Sequence, residues 1–204
     1  MIKTIIFDFG DVFINLDQEG HLINALKYLN LDKFPEELVT INKVYECGLI
    51  STETFLGYYQ DLFPNISKNK LIDIWNFMLK GFPKYRLDFL MELKESNKYQ
   101  LILLSNTNEL HIDWIKEHVP FYETFKNCFD VFYLSHEIHL RKPNANIFEF
   151  VLNQNNLKST ECLFIDDNRD NTEIAKKLGI NIWNINPITE DIINLFKIKN
   201  ALFD

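Results

Sequence analysis

Asp8 ends the apolar run Thr4-Ile5-Ile6-Phe7 and precedes Gly10. Asp166 and Asp167 end a second such run, Cys162-Leu163-Phe164-Ile165. Ser105 and Asn106 close a third, Leu101-Ile102-Leu103-Leu104, and Arg141-Lys142-Pro143 comes shortly after a fourth, Val131-Phe132-Tyr133-Leu134. A strand-end carboxylate such as Asp8 can attack phosphorus and form an acyl phosphate. Taken alone it reads as a turn or cap aspartate. The second acidic site changes that balance. Two adjacent carboxylates repel each other unless a cation or donor sits between them. Mg²⁺ takes one or two carboxylates, several waters and substrate phosphate oxygens. Asp8, the backbone carbonyl of Gly10 and Asp167 can supply its protein ligands. Ser105 and Asn106 offer a hydroxyl and an amide. Beside them a helix starting at Thr107 or Asn108 would present an anion-favouring N-terminus. Lys142 offers a point charge for a phosphoryl oxygen, with Arg141 as its rival.

These residues are far apart in sequence, so their meeting depends on the elements that carry them. In a parallel sheet, ligands bind outside the carboxyl ends of the strands. The first strand, about residues 2 to 8, is apolar on both faces, as suits a central parallel strand. The next strand begins only near Gln100. Helical spacing fills the interval: residues 17 to 30, a segment from Pro35 to Gly48, one capped by Ser51, one capped by Ser67, and one near 84 to 97. A crossover needs one helix. The first four therefore read as an inserted cap over residues 15–81, and the fifth as the true crossover. The core comprises 1–14 and 82–204, with hinges around Phe13 to Leu16 and Lys80 to Pro83. Beyond residue 100, strands near 100–105, 130–134, 161–166 and 180–185 alternate with helices near 108–118, 143–154, 169–178 and 188–196. This predicts an α/β fold, a Rossmann-like parallel sheet flanked by helices, with an inserted helical cap.

The bulk properties narrow the classes. The 204 residues are 47% hydrophobic and 14% aromatic, enough for a sizeable core. The formal net charge is -8 and no Lys/Arg run is present, which disfavours nucleic acid and anionic membranes as partners. No apolar run is long enough for a membrane span or a secretory signal core. Cys47, Cys128 and Cys162 are odd in number and lack zinc spacing, which fits a reducing, cytoplasmic setting. The five histidines show no metal-ligand spacing. His136 and His139 read as surface residues, and Trp75 with the aromatics of 55–63 as cap core.

In this order the motifs resemble those of the haloacid dehalogenase-like (HAD) hydrolases of the small-cap type. Phe7-Asp8-Phe9-Gly10-Asp11-Val12 resembles the first motif, and Leu104-Ser105-Asn106-Thr107-Asn108 the second. Arg141-Lys142-Pro143 resembles the third, and Phe164-Ile165-Asp166-Asp167-Asn168 with Asn171 the fourth. The likeness reaches further to the subgroup of sugar-phosphate phosphatases that includes bacterial alpha-D-glucose-1-phosphate phosphatase. The resemblance implies Asp8 as nucleophile. It implies Mg²⁺ held by Asp8, the Gly10 carbonyl and Asp167, with Asp166 acting through water. It also implies phosphate held by Ser105 and Lys142 with Asn106 assisting. The function implied is a phosphatase for a small phosphorylated metabolite, with the cap loop near Glu46 to Ser51 selecting the substrate. Its oligomeric state stays open between monomer and weak homodimer. Two alternatives remain: a metal-independent 2-haloacid dehalogenase, which the acidic pair disfavours, and a catalytically silent phosphate-binding member.

One position departs from the family. Where most HAD phosphatases carry a second aspartate as general acid and base, this chain has Gly10, and Asp11 follows one residue later. General acid–base help is worth about 10²–10⁴-fold. If the loop keeps its usual path, Asp11 points elsewhere. The enzyme would then favour good leaving groups such as an anomeric hydroxyl, or rely on a metal-bound water or a substrate group.

Overall fold

The computed structural model describes residues 1–203. Five parallel strands form one sheet: β1 (Thr4–Phe7), β2 (Gln100–Ser105), β3 (Val131–Leu134), β4 (Cys162–Asp166) and β5 (Asn181–Asn184), in the order β3-β2-β1-β4-β5. Phe7 pairs with Leu103 on one side and Ile165 on the other, so three strands end at nearly the same level. Alternate residues face opposite layers. Ile5, Phe7, Leu101, Leu103, Leu163 and Ile165 enter one core; Ile6, Ile102, Leu104 and Phe164 enter the other. Strands buried on both faces explain the near-continuous apolar runs.

Between β1 and β2 lie α1 (Gln18–Leu29), α2 (Glu36–Glu46), α3 (Thr52–Leu62), α4 (Lys68–Asn76) and α5 (Lys84–Glu95). The caps are those that the side chains foreshadow. Ser51 Oγ accepts the Thr54 N–H and Ser67 Oγ accepts the Lys70 N–H. The first four helices bury a cluster of their own around Leu38, Tyr45, Phe55, Tyr59 and Leu71. Leu110 joins that cluster from α6 (Glu109–His118) of the sheet-flanking layer.

The chain leaves and re-enters the sheet layer through two connections that pair with each other. Asn15 N–H donates to Gly81 O, Lys80 N–H to Asn15 O and Asp17 N–H to Met78 O. Leu16 and Leu79 form an antiparallel bridge. Two features hold this ribbon. Phe125 of α7 (Tyr122–Asn127) packs against Phe9, Phe13 and Phe82, with ring centroids 4.9, 5.1 and 5.0 Å away. Arg86 of α5 is nearly fully buried. Its Nη1 donates to Phe13 O at 3.1 Å and Asn15 Oδ1 at 2.8 Å, while Nε and Nη2 both reach Asp191 Oδ2.

The structure departs from the expected elements in the last third of the chain. The helix expected over 188–196 is instead a turn, a 3₁₀ segment (Ile192–Asn194) and the short α11 (Leu195–Ile198). Asp191 causes the break: its Oδ1 caps Ile193 N–H and its Oδ2 serves Arg86. The helix expected from Pro143 begins later, as α9 (Ala145–Gln154), with Asn144 as its cap. Two short helices were not foreseen, α7 and α8 (Ser135–Ile138). The remaining helix, α10 (Arg169–Lys177), begins at its expected residue.

Arg86→Met is expected to destabilise the protein by about 3 kcal/mol, because it strands Asp191 and the Phe13 carbonyl. Urea unfolding checks this. Adding Asp191→Asn should recover part of the loss by removing the uncompensated charge.

Candidate active site

The four strand-end motifs meet at one edge of the sheet. Lys142 is fully buried and its Nζ lies 2.8 Å from Asp8 Oδ1 and 2.7 Å from Asp166 Oδ2. Asp8, Asp166 and Asp167 each present a carboxylate oxygen within 4.8 Å of the others. Ser105 ends β2 and lines the adjoining cavity with Phe9, Gly10 and Asn106. So Asp8, Ser105, Asn106, Lys142, Asp166 and Asp167 converge, and Gly10 lies beside them.

Each is held by identifiable partners. Asp8 Oδ1 accepts the Phe9 N–H at 2.7 Å besides the Lys142 ammonium, while Oδ2 has no hydrogen bond among the described residues. Asp166 has no unspent oxygen. Its Oδ1 accepts from Asn168 N–H and Asn171 Nδ2, and its Oδ2 from Lys142 Nζ and Asn171 Nδ2. Asn168 in turn caps α10 by accepting the Asp170 N–H. Asn171 received no role of its own in the sequence reading, although it stands one helical turn past the acidic pair.

Two residues sit in arrangements the sequence did not indicate. Asn106 pairs with the Lys142 backbone: Nδ2 donates to Lys142 O and Oδ1 accepts the Lys142 N–H, both at 2.9 Å. It positions the lysine and keeps its second Nδ2 hydrogen unspent. Arg141, the rival for the phosphate role, pairs instead with Glu46 at the end of α2, Nε to Oε2 at 2.6 Å. Lys142 alone of the two reaches the carboxylates.

Electrostatics set the strain in this cluster. Burial is the main influence on Asp8 and raises its carboxyl well above the usual range, with Lys142 opposing and Asp166 and Asp167 adding to the rise. Asp167 is pushed up to about 6, first by burial, then by Asp166 and Asp11. Lys142 is raised despite burial, because Asp166 and Asp8 hold its proton. Three carboxylates against one ammonium leave negative charge in excess. A hard divalent cation with oxygen ligands fits that donor set.

Asp11 is directed away from this centre. It takes the left-handed backbone conformation, at φ 53°, that a turn after Gly10 requires. Its Oδ1 accepts the Leu16 N–H at 2.8 Å and its Oδ2 lies 3.5 Å from Gln18 Nε2, so it braces the first connection and the start of α1. A Cβ at Gly10 would lie 2.6 Å from Leu16 Cδ1, so any side chain there would require the end of the Leu16 side chain to turn aside.

A cavity of about 510 Å³ opens over the strand ends. Its far wall comes from α1, α2 and α4, including His21, Asn42, Glu46 and Trp75, with Phe34 from the loop between α1 and α2, and His111 enters from α6. Of the Glu46–Ser51 loop only Glu46 lines it; Gly48 to Ser51 border a separate, smaller hollow. That loop is docked instead. Gly48, at φ 62°, sits so close to the His136 carbonyl that a Cβ would come within 1.9 Å of it. Ser135 Oγ and His139 Nδ1 donate to the carbonyls of Glu46 and Cys47. Ser135 also takes the Thr107 N–H, a junction role with no sequence signal beyond its place after a strand. His136 is half-buried, not on the surface, while His139 is exposed. His21 and His111 line the cavity, a role the sequence reading did not assign.

A parallel α/β sheet whose carboxyl edge gathers buried carboxylates around one lysine, beneath a helical insertion, defines a hydrolase of the capped α/β class. The haloacid dehalogenase-like hydrolase family profile matches residues 2–179, and this chain belongs to that family. It is 29% identical over 188 residues to the D-ribitol-5-phosphate phosphatase of Bacteroides thetaiotaomicron, spanning 88% of this chain and 89% of that one. A HAD family enzyme of the same organism, solved as a magnesium complex, is 34% identical over 96% of this chain and 98% of its own, with a TM-score of 0.84. A HAD-like hydrolase from Porphyromonas gingivalis is 27% identical over 100% of this chain and 99% of its own, at 0.83.

Two outcomes follow from this geometry. Asp11→Asn keeps the Oδ1 acceptor for Leu16, so its kcat on a phosphate ester should fall only a few-fold. A loss of about 10²-fold or more would mark Asp11 as an acid–base group after all. The second concerns Asp167. Its folded-state pKa lies above the ordinary carboxylate value, so folding favours the protonated form. That contribution is present at low pH and is lost as pH rises through about 6. In EDTA, Asp167→Asn should therefore melt higher than the parent at pH 7.5, and the difference should shrink below about pH 6 and vanish only below about pH 4.

Proposed function

We propose that this chain is a Mg²⁺-dependent phosphatase that hydrolyses the monoester of a small phosphorylated metabolite, of the sugar or sugar-alcohol phosphate class. The reaction passes through an aspartyl phosphate on Asp8. The observation that carries this reading is the buried Lys142 ammonium bridging Asp8 and Asp166, beside a cavity of metabolite size. A pure binding protein has no use for a carboxylate left with one free oxygen in such a place. The family and the D-ribitol-5-phosphate phosphatase likeness support the same class.

In this reading Asp8 Oδ2 attacks phosphorus while Phe9 N–H and Lys142 hold Oδ1. The new O–P bond forms as the ester P–O bond breaks, and the alkoxide leaves with a proton from water or from the substrate. Water then attacks the phosphorus of the acyl phosphate, releasing phosphate and restoring the Asp8 carboxylate. Lys142 and Ser105 hold phosphoryl oxygens, and preorganised donors of this kind act where charge develops. Asp8, Asp167 and the Gly10 carbonyl would hold Mg²⁺, whose charge offsets that of the phosphoryl group. Asp166, with its oxygens already occupied, keeps Lys142 and Asn171 in register; any influence on the ion passes through water.

Residues 15–81 act as the cap, hinged on the paired connections. The first connection carries no acid toward the leaving group, because position 10 is glycine and Asp11 faces the hinge. Sugar 1-phosphates, whose anomeric oxygen leaves readily, belong in the substrate panel beside pentitol 5-phosphates for this reason. The haloacid dehalogenase alternative is disfavoured by the three convergent carboxylates, which would repel a carboxylate substrate. No helix among the described residues is long and apolar enough to cross a membrane. With the three cysteines free, a cytoplasmic setting belongs to the same reading.

A phosphate-ester panel with Mg²⁺ tests it, run beside Asp8→Asn. Turnover should require the metal, and Asp8→Asn should lose about 10³-fold or more in kcat. Activity that survives both EDTA and Asp8→Asn would belong to a contaminant and leave the proposal without support.

A further inference from the structure

The cavity carries more hydrogen-bonding groups than a phosphoryl site requires, and they lie on its cap side. Their state follows from their partners. His111 is fully engaged: Nε2 meets Trp75 O at 3.1 Å and so carries the proton, and Nδ1 faces Asn108 Nδ2 at 3.3 Å. Burial pushes it down to about 4, so it is neutral. His21 differs. Its Nδ1 lies 3.1 Å from the Ile74 carbonyl, which can only accept, so Nδ1 carries the proton. Burial also lowers this histidine, which leaves Nε2 as a bare lone pair with no partner among the described residues. Asn42 Oδ1 takes the Tyr59 hydroxyl at 2.7 Å, leaving the Nδ2 donors unspent. The Glu46–Arg141 contact uses Oε2 and Nε, leaving Oε1 and the two Nη groups.

The wall thus offers acceptors (His21 Nε2, Glu46 Oε1) and donors (Asn42 Nδ2, Arg141 Nη) with no net charge. Lys43 adds an ammonium only at the exposed rim. An isolated carboxylate or second phosphate finds no buried cation to itself here, since Arg141 is already neutralised. A hydroxyl, being donor and acceptor at once, matches every group on the wall. Apolar neighbours such as Leu22, Phe34 and Val39 suit the C–H faces of a carbon chain.

We propose that His21, Asn42 and the Glu46–Arg141 pair form a hydroxyl-reading subsite that selects an uncharged polyhydroxy chain on the phosphate ester. It excludes a bare alkyl chain or one ending in a second anion. The inference rests on the phosphatase reading and deepens it. A site built to hydrogen-bond a hydroxyl rejects the analogue lacking it strongly, because its own groups are then left unpaired.

The test compares kcat/KM with Mg²⁺ for ribitol 5-phosphate, butyl phosphate, 3-phosphoglycerate and p-nitrophenyl phosphate. The parent protein should prefer ribitol 5-phosphate over butyl phosphate and 3-phosphoglycerate by about 10²-fold or more. In His21→Phe and in Asn42→Leu, the ratio of kcat/KM for ribitol 5-phosphate to that for p-nitrophenyl phosphate should fall about 10-fold or more. The loss should lie mainly in KM, and His21→Gln should restore part of it by returning an acceptor. An unchanged ratio, a parent preference for butyl phosphate, or one for 3-phosphoglycerate would overturn the subsite while leaving the phosphatase reading intact. A parent protein inactive on all four esters would overturn the phosphatase reading and the subsite with it.

Discussion

A buried ammonium shared between two carboxylates is the constraint on which this structure depends. Lys142 has no exposed surface, and an isolated charge there would be costly. Asp8 and Asp166 make it tolerable, and they can reach it only because β1 and β4 are adjacent and end at the same level. Asn106 fixes the lysine backbone from the end of β2. Three strands are thereby tied to one residue. The excess negative charge that remains is what a bound cation would offset.

The helical insertion is firmly seated on the sheet-flanking layer. Glu46 grips Arg141, the residue next to Lys142, and Ser135 and His139 hold the carbonyls that follow. On the other side Leu110 enters the insertion's apolar cluster, and the Tyr45 hydroxyl accepts the Leu110 N–H. His111 ties α6 to α4 through the Trp75 carbonyl. The contacts that seat the insertion are the neighbours of the residues that line the cavity. The seating of the insertion and the lining of the cavity therefore draw on one continuous set of groups.

Much of this was legible in the sequence, for a physical reason. A buried parallel strand must be apolar throughout, so the polar residue that ends it stands out, and Asp8, Ser105 and Asp166 were readable in that way. Gly81 and Pro83 marked the return to the sheet layer, and serines marked two helix starts. What was not legible depended on partners distant in the chain. Nothing local tells Asn106 to pair with a backbone 36 residues away, or Arg141 to face Glu46. The helix expected over 188–196 failed for the same reason, since Asp191 answers to Arg86 105 residues earlier. Histidine tautomers lie beyond sequence altogether, because they are set by whichever carbonyl the ring meets.

The space beside Gly10 has a consequence of a different kind. Leu16, whose methyl would meet any side chain placed there, is also the residue that bridges to Leu79 between the two connections. A carboxylate introduced at position 10 would press on the end of the Leu16 side chain and not on the backbone of that bridge. Leu16 is half-buried and has room to turn its methyl aside. A lineage or engineer installing the acid would therefore face a local repacking of one leucine while the bridge between the two connections keeps its backbone.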